Sequence, residues 1–124
     1  MATVLTVDDD LVARVLLRHL LDQLGHDVIE AENGREALDL FETRSVDLVL
    51  SDQDMPGLTG LELRAALGDR LDVPFVLLTG YADRDELGAG QVSLDAVDAF
   101  LTKPISSKAL AEVIAALLTD HRLN

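Results

Sequence analysis

Cysteine is absent from the 124 residues, which excludes disulfides, thiol catalysis and cysteine-based zinc sites. Tryptophan is absent as well, and aromatic residues make up only 3%, so the stacking platforms that hold unpaired bases are missing. Basic residues are scarce: 10 Lys and Arg stand against 23 Asp and Glu, for a net charge of −13. A chain of that charge lacks the electrostatic footprint of a nucleic-acid binder and suits cations and basic partners instead. The N-terminal MATVLTVDDD has neither a basic n-region nor a long apolar stretch. No signal peptide and no membrane span are predicted, and a cytoplasmic protein is the expectation.

Hydrophobic residues account for 48% of the chain, a globular proportion, and the length suits one domain with a real core. The initial Met and the tidy C-terminal helix favour a free-standing single domain over residues 1–124, with no output domain.

Short apolar runs alternate with helical patterns. Val4–Val7 is a first β-rich run, and Leu11, Val12, Val15, Leu16, Leu20 and Leu24 then follow helical spacing up to Gly25. Asp27–Ala31 reads as a second strand. Asn33 is a candidate N-cap for a second helix with Ala37, Leu38 and Phe41 on its apolar face. Val46–Ser51 is a buried-type third strand, followed by a Gly/Pro-rich loop from Met55 to Gly60 and a helix from Leu61 to about Leu67. Val73–Thr79 is a fourth strand with its proline near the start, where a strand tolerates it. Ala99–Leu101 is a short fifth strand. Leu110, Val113, Ile114, Leu117 and Leu118 form the stripe of an amphipathic last helix. The segment Ala82–Val97 carries Gly88 and Gly90, each costing about 1 kcal/mol in a helix interior, which predicts a short, displaced or mobile helix with fast amide exchange over Asp85–Val92. Strands alternating with helices predict βαβ units: an α/β fold with a parallel sheet and helices on both faces.

In such a sheet, ligands bind at the carboxyl ends of the strands. Asp8, Asp9 and Asp10 follow the first strand, Asp52, Gln53 and Asp54 the third, Thr79 ends the fourth, and Lys103 and Pro104 follow the fifth. Carboxylates crowded across one crevice repel each other unless a hard cation lies between them, and an oxygen-only donor set suits Mg²⁺ or Mn²⁺. A lysine and a hydroxyl beside them suit the oxygens of a phosphoryl group, and a carboxylate held by metal and lysine is a credible nucleophile for an acyl phosphate.

Val7-Asp8-Asp9, Leu50-Ser51-Asp52-Gln53-Asp54-Met55-Pro56-Gly57, Leu78-Thr79-Gly80-Tyr81 and Leu101-Thr102-Lys103-Pro104 together resemble the response-regulator receiver family of two-component signalling, over about Val4 to Leu118. The resemblance implies a flavodoxin-like, doubly wound five-stranded sheet in the order 2-1-3-4-5. It implies Asp52 as phosphoacceptor, Asp8 and Asp9 as the acidic pair at Mg²⁺ or Mn²⁺, and a backbone carbonyl from Asp54 as a further metal ligand. It also implies Thr79 and Lys103 as the groups on the phosphoryl oxygens, a cis peptide at Lys103–Pro104, and Phe100 as an aromatic switch. The implied partners are a histidine kinase or a histidine phosphotransfer protein upstream and an unknown protein downstream, with no nucleic acid and no membrane. The signalling face would be the 82–97 segment with the fifth strand and last helix, and the chain would catalyse only its own phosphorylation and dephosphorylation. Phe100 departs from the tyrosine frequent at that position, so no ring hydroxyl is available, and the stretch from Thr79 to Lys103 is slightly long.

Three rivals are weaker. A haloacid-dehalogenase-type phosphohydrolase would place its D-x-D motif after the first strand, whereas Asp52-Gln53-Asp54 follows the third. A flavin or nucleotide binder needs a phosphate-cradling loop where Asp8-Asp9-Asp10 would repel phosphate. A receiver fold used only for protein binding has no need of the complete acidic set.

Overall fold

The structure, a computed structural model, describes residues 2–80 and 97–123, with side chains through 118. Five strands, β1 (Thr3–Val7), β2 (Asp27–Ala31), β3 (Leu48–Asp52), β4 (Phe75–Thr79) and β5 (Ala99–Thr102), form one parallel sheet in the order β2-β1-β3-β4-β5. Among the described residues four helices accompany them: α1 (Leu11–Gln23), α2 (Gly34–Thr43), α3 (Gly60–Leu67) and α4 (Ser107–Leu123), with a 3₁₀ turn over Gly68–Arg70. The helix expected within 82–97, and the fast exchange expected over 85–92, fall outside the described residues apart from Val97, which packs partly buried against the core.

Period-2 alternation divides the core in two. Leu5, Val7, Val49, Phe75 and Leu77 face α2 and α3, alongside Ala37, Leu63 and Leu67. Val4, Leu48, Leu50, Val76 and Leu78 face α1 and α4, alongside Leu17, Leu21, Leu110 and Ile114. β3 and β4 are buried along their whole length, as strands covered on both faces must be.

Side-chain caps mark the starts of the first three helices. Asp10 caps α1 by accepting from the Val12 N–H at 3.1 Å, and Asn33 caps α2 by accepting from the Glu36 N–H at 2.8 Å. Thr59 and Glu62 form a reciprocal capping box at α3, which begins at Gly60, one residue earlier than the apolar pattern indicates. Gly25 ends α1 at φ +86°, in the left-handed region that glycine enters without strain.

The buried side of α1 is a correction to its apolar spacing. Leu11, Val12, Val15 and Leu16 form the exposed side of the helix, Leu24 is exposed beyond its end, and Leu20 is only partly buried; the buried residues are Arg14, Leu17 and Leu21. In α4 the predicted stripe does pack inward: Leu110 and Ile114 are buried, with Val113, Leu117 and Leu118 partly so.

Candidate functional site at the carboxyl ends of the strands

The sheet order brings β1, β3, β4 and β5 side by side, so the residues at their carboxyl ends converge on one crevice. Asp52 is the last residue of β3, one position further into the strand than the apolar run suggests, and is paired with Leu78 of β4. Asp8 follows β1 with its N–H donated to the Ala31 carbonyl at 3.1 Å, so the ladder to β2 extends into the site. Thr79 ends β4, and its carbonyl accepts from the Lys103 N–H at 2.7 Å, which fixes the start of the loop after β5.

The loop behind Asp52 is held tightly. Gly60 donates its N–H to the Gln53 carbonyl at 3.1 Å, and the Gln53 side chain accepts from the Leu61 N–H at 2.9 Å. A Cβ at position 60 would lie 2.7 Å from the Asp52 carbonyl oxygen and 2.5 Å from Leu77 Cδ1, so only glycine lets α3 approach the strand end this closely. Gln53 and Gly60 are therefore part of the scaffold of the site. Pattern reading takes both for loop residues, because a close approach between two backbones leaves no trace in periodicity.

Asp8, Asp9 and Asp52 each offer a carboxylate oxygen, all within 4.8 Å of one another. Asp8 and Asp52 are buried, whereas Asp9 is exposed. The Lys103 ammonium reaches between the two buried carboxylates, 3.2 Å from Asp8 Oδ2 and 3.1 Å from Asp52 Oδ1. Burial pushes the Asp52 carboxyl up to about 6, and the Asp8 charge adds to that rise against the opposing pull of Lys103. Burial lowers the Lys103 ammonium, but the Asp52 and Asp8 carboxylates outweigh it and hold its pKa above the ordinary lysine value. The cluster thus sets three acidic side chains against one ammonium, an arrangement that suits a cation.

Two further observations test whether these residues fit a divalent metal and a phosphoryl group. The donor set is oxygen only, the chemistry of Mg²⁺ and Mn²⁺ rather than of soft metals. The Thr79 hydroxyl is fully buried with no hydrogen-bond partner among the described residues. A buried hydroxyl left without a partner is costly in a folded protein, and a ligand oxygen would satisfy it.

The remaining site residues lie as follows. Asp54 is exposed, and its carboxylate is outside the Asp8–Asp9–Asp52 group. The Lys103–Pro104 peptide is cis. Phe100 is half-buried and packs against the core on the α2–α3 side. Two grooves flank the crevice. One, of about 630 Å³, is lined by Asp9, Asn33, Arg35, Pro56 and Leu58. The other, of about 380 Å³, is lined by Leu16, Leu17, Leu78, Lys103, Pro104 and Ile105 and continues onto the exposed apolar side of α1.

Comparison with known proteins agrees with this geometry. Residues 4–115 match the family model for the response regulator receiver domain. The chain is 45% identical over 123 residues to the positive alginate biosynthesis regulatory protein of Pseudomonas aeruginosa, covering 97% of this chain and 48% of that protein. It is 36% identical over 117 residues to the sensor histidine kinase GacS of Pseudomonas protegens, covering 90% of this chain and 12% of the kinase. The chain thus spans about half, or much less, of the curated relatives it matches. Among solved structures it is similar to the response regulator TrrA of Thermotoga maritima in complex with Mg²⁺ and BeF, at 34% identity and a TM-score of 0.83, covering 94% of this chain and 99% of that one. A response regulator receiver domain protein from Clostridium thermocellum superposes with a TM-score of 0.88 at 25% identity, covering 99% of this chain and 98% of that one. The family match spans residues 4–115 and the solved relatives share the fold, so this chain belongs to the response regulator receiver domains of two-component signalling.

Proposed function

We propose that Asp52 accepts a phosphoryl group from a phosphohistidine on a histidine kinase or phosphotransfer protein and that the resulting acyl phosphate changes the surface this domain shows to a downstream protein. The observation that carries this reading is Lys103 Nζ 3.1 Å from Asp52 Oδ1, within a three-carboxylate cluster and near a strand end whose Thr79 hydroxyl has no partner among the described residues. Asp8, Asp9, Asp52 and the Asp54 backbone carbonyl would hold Mg²⁺ or Mn²⁺, which when bound neutralises charge on the carboxylates and on the transferred group. Asp52 attacks phosphorus in line, and the phosphorus–nitrogen bond breaks with its electron pair leaving on the histidine. Lys103 exchanges its contact with Asp52 for the new phosphoryl oxygens, and the Thr79 hydroxyl donates to one of them. Both groups come from the adjacent β4 and β5 ends, so their movement biases β5, the half-buried Phe100 and the start of α4. The chain would act only on its own aspartyl phosphate and not on a separate substrate.

A protein donor is favoured by the surface beside the site. Val12, Val15 and Leu16 are exposed on α1, and Leu16 continues into the apolar groove that ends at Lys103. A partner that seats an apolar helix there would bring its histidine to the crevice.

The test is intact mass after incubation with acetyl phosphate and Mg²⁺. The wild type should gain one phosphoryl group and lose it when EDTA is present during incubation, and Asp52→Asn should gain none. A wild type that binds Mg²⁺ yet takes up no phosphoryl group would instead make this a receiver fold kept for protein binding.

A further inference from the structure

Arg14 is the only charged residue among the buried positions of α1, in a row otherwise made by Leu17 and Leu21. Burying a guanidinium costs several kcal/mol unless its donors are met, and an aliphatic residue of similar size commonly serves stability as well or better. Packing alone is therefore a poor reason for arginine here.

Its contacts supply a better one. Arg14 Nη1 donates to the Asp8 backbone carbonyl at 2.7 Å, Nε lies 3.4 Å from Glu30 Oε1, and Nη2 lies 3.9 Å from Glu32 Oε1. Glu30 is itself braced by Arg18 Nη1 at 2.7 Å. The Asp8 N–H is held on the other side by the Ala31 carbonyl, and Asp8 Oδ1 accepts from the Asp10 N–H at 2.9 Å. The peptide joining Asp8 to Asp9 is thus fixed by the guanidinium, and Asp9, the exposed member of the cluster, is carried on that peptide.

Resting on the reading of Asp8, Asp9 and Asp52 as the metal site, we propose that Arg14 is a positioning residue which, by tying the Asp8 carbonyl to the carboxylates of Glu30 on β2 and Glu32 just after it, aims the Asp8–Asp9 pair at the cation. The planar fork of its guanidinium donates a hydrogen bond to the Asp8 carbonyl while lying within ion-pair distance of Glu30 and Glu32; a lysine ammonium is a point charge that cannot span them. The proposal makes a prediction of unusual sign. By Coulomb's law, removing a positive charge next to three carboxylates should tighten cation binding. If Arg14 orients the ligands, removing it should weaken binding, in the manner of residues that hold metal ligands in place, by about 10-fold or more.

The experiment is a calorimetric Mg²⁺ titration of wild type, Arg14→Gln and Arg14→Lys, with circular dichroism and thermal melts on the same samples to count folded protein. Both variants should bind Mg²⁺ about 10-fold more weakly per folded molecule. Phosphoryl uptake should need correspondingly more Mg²⁺ while its rate at saturating Mg²⁺ stays near the wild-type value. Wild-type or tighter affinity in Arg14→Gln overturns the proposal, as does wild-type affinity in Arg14→Lys, since charge without the fork would then suffice. Should Arg14→Gln fail to fold, Arg14→Lys, which keeps the charge, decides the matter alone. A wild type that binds no Mg²⁺ would remove the metal site itself, a different failure from variants that match a binding wild type.

Discussion

α1 and α4 cover the same face of the sheet, yet they use their aliphatic residues in opposite ways. In α4 the apolar stripe points inward, with Leu110 and Ile114 buried beside Leu48, Leu50 and Leu101. In α1 the inward row contains Arg14, Leu17 and Leu21, while Val12 remains 74% exposed and Leu11 62% exposed. Among the described side chains of α4 the buried ones are all aliphatic. α1 begins one residue after its capping Asp10, next to the acidic cluster, so one of its inward positions serves the Asp8 carbonyl and its outward side stays apolar at the edge of the crevice. A helix beside a site answers to the site as well as to the core.

The largest effect that would break this contrast lies inside α1. Leu21→Ala removes a fully buried side chain and should cost about 2–5 kcal/mol in urea unfolding, as Ile114→Ala should in α4. A cost near zero at Leu21 would mean that the inward row of α1 has been misidentified.

A second effect separates burial that stabilises from burial that serves chemistry. Leu50 and Asp52 are neighbours on β3 and both are buried, but burying Asp52 raises its carboxyl to about 6. The native state then holds that proton more tightly than the unfolded chain does. The stabilisation is full below pH about 4 and is lost as the pH rises through about 6, a difference of up to about 3 kcal/mol without metal. Unfolding in EDTA across this range should show the loss for wild type, and Asp52→Asn should flatten that part of the profile. Parallel curves for the two proteins would place the pH dependence elsewhere.

The smallest stability effect belongs to the outward side of α1. Val12→Glu and Leu16→Glu should change stability by no more than about 0.5 kcal/mol, because neither side chain is buried. Both should slow transfer from a phosphohistidine protein several-fold while leaving uptake from acetyl phosphate unaltered. Equal slowing with both donors would show that the substitutions disturb the site rather than a docking surface.

Much of the molecule was legible from residue order. Strand and helix alternation follows from hydrophobic period, and the start of α2 at Asn33 follows from a side chain that caps its own backbone, a local interaction. Asp8, Asp9, Asp52, Thr79 and Lys103 stood out because a βαβ fold must place strand ends together. Arg14 and Gly60 did not stand out. One acts through a carbonyl six residues away and two carboxylates on and just after β2, the other through a backbone approach to Asp52.

The sequence by itself therefore determined the elements, the order of charges along the chain and the family, since these depend on local propensity, period and spacing. Only the tertiary structure decided which side of α1 is buried, that Lys103 sits between Asp8 and Asp52, and that the Thr79 hydroxyl is buried without a partner among the described residues. Those outcomes depend on distances between residues far apart in the chain, which are set only when the sheet closes and water is excluded from the crevice.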